Sequence, residues 1–414
     1  MKNVDFLIIG GSAAGTTAAE VIRGLKPEAT VTIVTDENHE EYSRILVPHY
    51  IRHKVTREQV FLKKPEWYKE KLIELIKLKK VIKLDAVNHK VSLGDGEEIE
   101  YGKLLITVGG AVVPFEAPGV DLGNIFYMRT IEDADSIIKG LEGAKNAVVV
   151  GGGFIGLEFA HSFRANGVEN VTVLVMEPFF WKGKLDEDSS KVLTNLLESN
   201  GVKILTNEQV ERFEGDGGVK KVVTKSGKTL DAEIVGIGIG IKSNLGFLEN
   251  SGVKINRGIL TNEYLETNLP DIYAAGDCAE FLDVIFDRQH ILGIWANATL
   301  QGSTVGKTMT GTKTVFETAF SYSINIFGGN CSFVGETDES FADEIVIRGS
   351  VKEAKMTRIF IKKIAGVMRV VGATVINDPA EVGPLARAIK DRVDVSRYKA
   401  KFGDMNFDLK ELAV

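Results

Sequence analysis

Apolar residues recur along this chain with two different periods, and the order of those periods outlines the architecture. The apolar run FLII at residues 6–9 leads into a glycine-rich turn, a stretch with helical spacing and a second run, VTIV, at 31–34. The same succession returns with AVVV at 147–150, another glycine turn, another helical stretch and VTVLV at 171–175. Strands that alternate with helices predict a parallel sheet covered by helices, so two doubly wound units are expected. Between them, a charged helical stretch is expected around Trp67 to Lys77, with the lysine-rich KLIELIKLKK as its solvated face. Strands are expected around VIKLDAVNHKVSL and KLLITVGG, and a crossover punctuated by Pro114 and Pro118. Beyond about Phe316 the period shortens to two in SYSINIFGG, CSFVGET, DEIVIRG and TRIFIKK, and a helix follows from Glu381 to Asp391.

Both glycine turns carry the marks of a dinucleotide loop. The first glycine permits the tight turn, the second lets backbone approach a pyrophosphate, and the third lets helix pack on strand, while the helix N-terminus favours the phosphate charge. In the second copy Gly151, Gly153 and Gly156 fill these places around Phe154 and Ile155, and Glu158 lies just inside the helix. Glu177 ends the next strand, about twenty residues on, where a carboxylate holds a ribose diol and repels a 2'-phosphate. NADH is therefore expected over NADPH, although Lys182 and Lys184 lie nearby and Glu177 could instead only face solvent. In the first copy Gly10 and Gly15 are in place, and Ser12 stands at the close-approach position before Ala13 and Ala14. Asp36, in preference to Glu37, is the candidate ribose carboxylate there. The glycines Gly236, Gly238 and Gly240 of EIVGIGIGI are expected to mark both backbone that something approaches closely and a chain crossing between domains.

Composition narrows the picture without changing it. At 414 residues the chain is long enough for two or three domains. Its net charge of −7 and lack of a basic tract with interleaved aromatics give no reason to expect nucleic acid. No apolar run approaches the roughly eighteen residues of a membrane span, and a soluble, cytoplasmic protein is expected. The two cysteines, Cys278 and Cys331, have no CxxC spacing, so neither a disulfide framework nor a dithiol centre is indicated. His49 and His53 stand four apart, but no third ligand accompanies them and no metal site is expected.

At TNLPDIYAAGDCAE the chain resembles the FAD-dependent pyridine nucleotide-disulfide oxidoreductases, whose second flavin motif ends in a pair like Gly276-Asp277. The resemblance covers nearly the whole chain. The segments EEYSRILVPHYI, LGIWANATLQGSTVGKTMTG and VGATVINDPAEVGPLARAIKDRVDVSRYK are most similar to NADH:rubredoxin reductases, NADH oxidases and nitrite reductase-like reductases. The resemblance implies an α/β chain with two Rossmann-like domains and a C-terminal α+β interface domain: a FAD domain at 1–113 and 240–315, an NAD domain at 114–239, and an interface or dimerisation domain at 316–414. It also implies that Asp277 bonds the flavin ribityl chain, that Val81 offers backbone to the adenine, and that Trp295 and Asn297 open a helix aimed at the flavin. Gly109, Gly276 and Arg44 join the FAD set, Gly238 and Gly240 the NAD set, and Glu158 matches a glutamate near the nicotinamide.

The chain departs from the coenzyme A-disulfide reductases and water-forming NADH oxidases of this superfamily at YSRILVPHYI, where their matching segment carries a redox-active cysteine beside the flavin and this chain has Ile45. Isoleucine offers no thiolate, so electrons are expected to pass directly from FAD to an external acceptor. A rubredoxin- or ferredoxin-type iron protein is the expected acceptor, with Arg44, His49 and Glu158 as flavin-proximal candidates and no obligatory side-chain acid or base. The alternatives are an NADH oxidase that makes hydrogen peroxide from oxygen, or a redox flavoprotein subunit of a larger complex. A homodimer through the C-terminal domain would follow by analogy.

Overall fold

In the computed structural model, which describes residues 2–413, the strand Lys2–Ile9 runs parallel to Val31–Val34 on one side and Glu98–Ile106 on the other. Ile73–Ile76 and Ile272–Ala274 extend this sheet in parallel, and Lys90–Leu93 with Val81–Asp85 continues it antiparallel. Leu7 and Ile8 are fully buried because both faces of the sheet are covered, which is why the run is continuously apolar. One face packs on the helices Ala13–Leu25 and Trp295–Met309. Those helices approach closely through small residues: a Cβ on Gly302 would lie 2.4 Å from the Ala14 carbonyl oxygen. This sheet belongs to a unit made of Met1–Tyr50, Val55–Ala111 and Ile241–Glu317.

A second unit contains Ile51–Lys54, Val112–Gly240 and Thr318–Val414. Its parallel sheet runs in the order Val202–Thr206, Asn170–Val175, Asn146–Val150, Ile234–Ile237, Ile125–Phe126. Its C-terminal part is a five-stranded antiparallel sheet ordered Ser321–Ile326, Gly329–Gly335, Val367–Ile376, Lys355–Ile364, Glu344–Ser350, with the helix Val382–Lys390 packed on it. The period-two alternation after Phe316 thus forms a sheet, and the strand-rich C-terminal segment and the second glycine loop share one unit.

One expectation fails. The lysine-rich stretch is not a helix beyond Glu70: the helix is Pro65–Glu70, Leu72 turns the chain at φ 52°, and Ile73–Ile76 is a strand beside Val31–Val34. The edge of the parallel sheet offers unpaired backbone groups, and IELI meets them while Glu74 bonds Thr32 at 2.8 Å. Lysines outside such a strand imitate the polar face of a helix. Among the described residues no helix is long and apolar enough to cross a membrane.

Candidate dinucleotide sites

In the first unit, the backbone geometry of residues 10–15 leaves no room for side chains at two points. Gly10 adopts φ 110°, and a Cβ there would lie 2.2 Å from the Thr107 carbonyl oxygen; one on Gly15 would lie 2.0 Å from the Gly10 carbonyl oxygen. Thr107 locks the turn by donating its hydroxyl to the carbonyls of Ile9 at 2.9 Å and Gly10 at 3.0 Å. Ser12 caps the helix in an extended conformation, with no side-chain bond across its end and no acidic residue in the first turn. The amides of Ala13 and Ala14 therefore open a helix N-terminus suited to an anion.

The second motif is brought to this loop. Gly276 adopts φ 78°, a Cβ on it would meet the Ala14 side chain at 3.3 Å, and its amide donates to Gln301 Oε1 at 2.7 Å. Asp277 beside it is half-buried, and Trp295 and Asn297 begin the helix Trp295–Met309. Gln301 Nε2 and Asn297 Oδ1 are buried atoms without a hydrogen-bond partner, in side chains 0% and 3% exposed. Buried polar atoms left this way need a partner, and these residues, a carboxylate and an open helix terminus fit the polar groups of FAD. Gln301 and Thr107 escaped the sequence reading, since neither belongs to a spaced motif.

Asp36 stands exposed after the strand Val31–Val34, whereas Glu37 is engaged with its own chain. The Tyr42 hydroxyl donates to Glu37 at 2.7 Å, Arg44 forms an ion pair with Glu37, and Arg44 Nη1 donates to the Tyr42 oxygen at 2.8 Å. Burial works against the Arg44 charge, but Glu37 and Tyr42 hold its pKa above the ordinary value. Val81 opens its strand with a buried side chain, Gly109 turns at φ 62°, and His49 is half-buried in the helix Val47–Ile51. Ile45 is 56% exposed, large for an isoleucine. Cys278 is fully buried between the carbonyls of Ile106 and Ala275, and burial pushes its thiol up to about 12; burial also raises that of Cys331.

Glu41 adds a titrating group to this segment. Its side chain is buried, and desolvation, opposed by Lys63 and reinforced by Glu20, raises its pKa from 4.5 to about 7. A carboxyl whose folded pKa exceeds its unfolded value binds its proton more tightly in the folded state. Its contribution is present at low pH and is lost as pH rises from about 4.5 to 7. At about 1.4 kcal/mol per pH unit, the loss amounts to roughly 3 kcal/mol. Glu41→Gln is therefore expected to be more stable than the parent at pH 8 and to lose this pH slope in denaturant titrations; parallel slopes for the two proteins would refute the assignment.

The second unit repeats the first loop's construction. Gly151 adopts φ 104°, and a Cβ on Gly156 would lie 1.9 Å from the Gly151 carbonyl oxygen. Gly153 caps the helix Phe154–Ala165, again without an acidic first turn, and Ile155 lies in that turn. Glu177 is exposed after the strand Asn170–Val175. What approaches Gly236 and Gly238 is the protein itself: Cβ atoms there would lie 2.5 Å from the Phe159 ring and 2.6 Å from the Gly156 amide. Gly240 turns at φ 111° with open space around it. The turn and open helix end suit the pyrophosphate of NADH.

Glu158 has a partner that the sequence reading missed. Arg52, 3% exposed in its side chain, forms an ion pair with Glu158 and reaches Ser162 at 3.5 Å. The neighbouring His53 ring lies 3.1 Å from Asn166 Oδ1, and Asn166 Nδ2 donates to the Ile51 carbonyl at 2.9 Å. The segment Ile51–Lys54 is thereby clipped along the helix Phe154–Ala165. Burial raises the Glu158 pKa, and Arg52 offsets only part of that rise. Arg52 stands inside HYIRH, where the two histidines drew the reading.

Comparison with known proteins agrees with this construction. The pyridine nucleotide-disulphide oxidoreductase family matches residues 4–302. The NAD(P)H nitrite reductase of Bacillus subtilis strain 168 is 30% identical over 409 residues, which are 96% of this chain and 48% of that protein, so the chain spans about half its length. The chain of a covalent putidaredoxin reductase–putidaredoxin complex superimposes with a TM-score of 0.92 at 28% identity, covering 100% of this chain and 99% of that one. NADH:rubredoxin oxidoreductase from Clostridium acetobutylicum gives 0.78 at 25% identity, covering 94% and 96%. With two glycine loops of one construction and a match across most of its length, the chain belongs to the pyridine nucleotide-disulphide oxidoreductase family and is an NAD(P)H-dependent flavoprotein oxidoreductase.

Proposed function

We propose that the chain binds FAD at the Gly10–Gly15 loop and NADH at the Gly151–Gly156 loop, and that it hands electrons to a small iron protein of the rubredoxin or ferredoxin type. The observation that carries this reading is the absence of a usable thiol among the described residues: Ile45 stands where thiol-using relatives have cysteine, and Cys278 and Cys331 are buried with their thiols pushed up. Bound FAD supplies the hydride acceptor and the one-electron chemistry. The side chains bind and orient. Asp277, Gln301 and Asn297 offer polar partners to the flavin's side chain, Glu177 favours an unphosphorylated ribose, and the pair Arg52–Glu158 fixes the charge on the NADH helix. Relatives whose names contain putidaredoxin and rubredoxin support the acceptor class. A cytoplasmic setting and a homodimer through the C-terminal sheet complete the proposal.

The exposed Ile45 also leaves room for a second reading, a peroxide-forming NADH oxidase, because oxygen needs no dedicated residue at an accessible flavin. NADH consumption by FAD-loaded protein separates the two. Fast anaerobic reduction of rubredoxin or a ferredoxin, with slow aerobic turnover, is expected. Fast aerobic turnover with one peroxide per NADH and no response to either iron protein would replace the proposal with the oxidase.

A further inference from the structure

We propose that the C-terminal sheet is a working part of the NADH site, with Arg358 as the positioning residue for the loop that carries Glu177. The inference rests on the reading of Gly151–Gly156 as the NADH loop. Arg358 lies on the strand Lys355–Ile364 with its side chain 4% exposed, so its charge is held away from water. Its Nη1 donates to the Lys184 carbonyl at 2.7 Å, its Nη2 to Glu339 Oε1 at 2.5 Å, and its Nε lies 3.8 Å from Asp186. The same loop is tied twice more to this sheet's connections: Lys184 Nζ donates to Thr337 Oγ1 at 3.2 Å, and the Glu339 amide donates to the Gly183 carbonyl at 3.0 Å. Asp186 in turn caps the helix Glu187–Ser199 through the Ser189 amide at 2.8 Å.

Aromatic packing joins this loop to the glycine turn. Trp181 stacks on Phe154, the first residue of the NADH helix, at 5.0 Å and meets Phe333 of the C-terminal sheet at 5.2 Å. Tyr322 and Phe333 also contact Phe154, at 5.5 and 5.6 Å. Trp181 adopts φ 53°, a left-handed conformation that a tryptophan rarely takes and that its surroundings must impose. The two segments that flank a bound dinucleotide, the turn before Phe154 and the loop after Glu177, thus rest on one sheet from another part of the chain. A planar guanidinium that donates two fixed hydrogen bonds sets a loop position that a flexible ammonium does not.

The test is calorimetric titration of the FAD-loaded protein with NAD+ and NADP+, alongside steady-state kinetics, for wild type, Arg358→Met, Arg358→Lys and Thr337→Val. Loosening the loop is expected to weaken NAD+ binding about tenfold in Arg358→Met and to shrink the preference for NAD+ over NADP+, with KM for NADH rising more than kcat falls. Arg358→Lys is expected to restore part of the loss. A lowered melting temperature with unchanged NAD+ affinity and unchanged NAD+/NADP+ ratio would reduce Arg358 to a structural residue and overturn the inference. If Arg358→Met does not fold, unchanged affinity in both Arg358→Lys and Thr337→Val overturns it equally. Failure of the wild type to bind NAD+ at all strikes the reading of the glycine loop instead.

Discussion

Gly156→Val is expected to yield a protein that retains FAD but is no longer reduced by NADH. The added Cβ would lie 1.9 Å from the Gly151 carbonyl oxygen, well inside any tolerated contact. The obstacle is backbone, so no side-chain rotation relieves it; the helix Phe154–Ala165 must retreat from the strand Asn146–Val150. Its open N-terminal amides then leave the place proposed for the pyrophosphate, and a displacement near 1 Å is enough to cost about a hundredfold in a positioned reaction. Anaerobic stopped-flow bleaching of the flavin by NADH measures the loss. Gly156→Ala introduces the same Cβ with less bulk and is expected to show the same direction of effect. The corresponding change in the other loop, Gly15→Val, brings its Cβ to 2.0 Å from the Gly10 carbonyl oxygen and is expected to yield colourless protein. Normal bleaching of Gly156→Val would mean that NADH binds elsewhere.

The second large effect is expected from Arg52→Leu. Glu158 is already desolvated, and Arg52 is the cation that compensates it. Removing one member of a buried ion pair leaves the other uncompensated, at a cost of about 3–5 kcal/mol. The Glu158 carboxyl then has every reason to take up a proton, so its pKa in the folded variant rises further. The sign follows as for Glu41: a folded pKa above the unfolded one means stability that is present at low pH and lost as pH rises. Arg52→Leu is therefore expected to be destabilised more at pH 8 than at pH 6, and the double variant Arg52→Leu/Glu158→Leu to recover most of the loss. Denaturant titrations at the two pH values check both statements. Equal stability of Arg52→Leu and the parent at pH 8 would show that Arg52 does not hold the Glu158 charge.

Much of this molecule could be read before any coordinates. Two glycine turns after apolar runs are local chemistry: turn, helix start and strand are adjacent in sequence, so spacing alone states what Gly10, Gly15, Gly151 and Gly156 must do. The period-two alternation of SYSINIFGG and TRIFIKK likewise announces strands, because each side chain's face follows from its parity. The failures share a cause. KLIELIKLKK has charged residues three apart at Lys71, Glu74, Lys77 and Lys80, as on one helix face, and only the waiting edge of Val31–Val34 makes IELI a strand. Gly236 and Gly238 advertised a close approach, but that the visitor is the helix Phe154–Ala165 depends on parallel neighbours far apart in sequence.

The apolar pattern, the paired glycine loops and the isoleucine at position 45 are properties of the sequence by itself, and they determined the fold class and the two tight glycine turns on which the proposed nucleotide sites rest. The partners of buried charged and polar groups were decided only by tertiary structure: Arg52 for Glu158, Arg358 for the loop after Glu177, Gln301 for the Gly276 amide. Secondary structure follows from forces between neighbours a few residues apart, which spacing records. The partner of a buried charge follows from which distant side chains the packed chain brings within hydrogen-bonding reach, and no spacing encodes that distance.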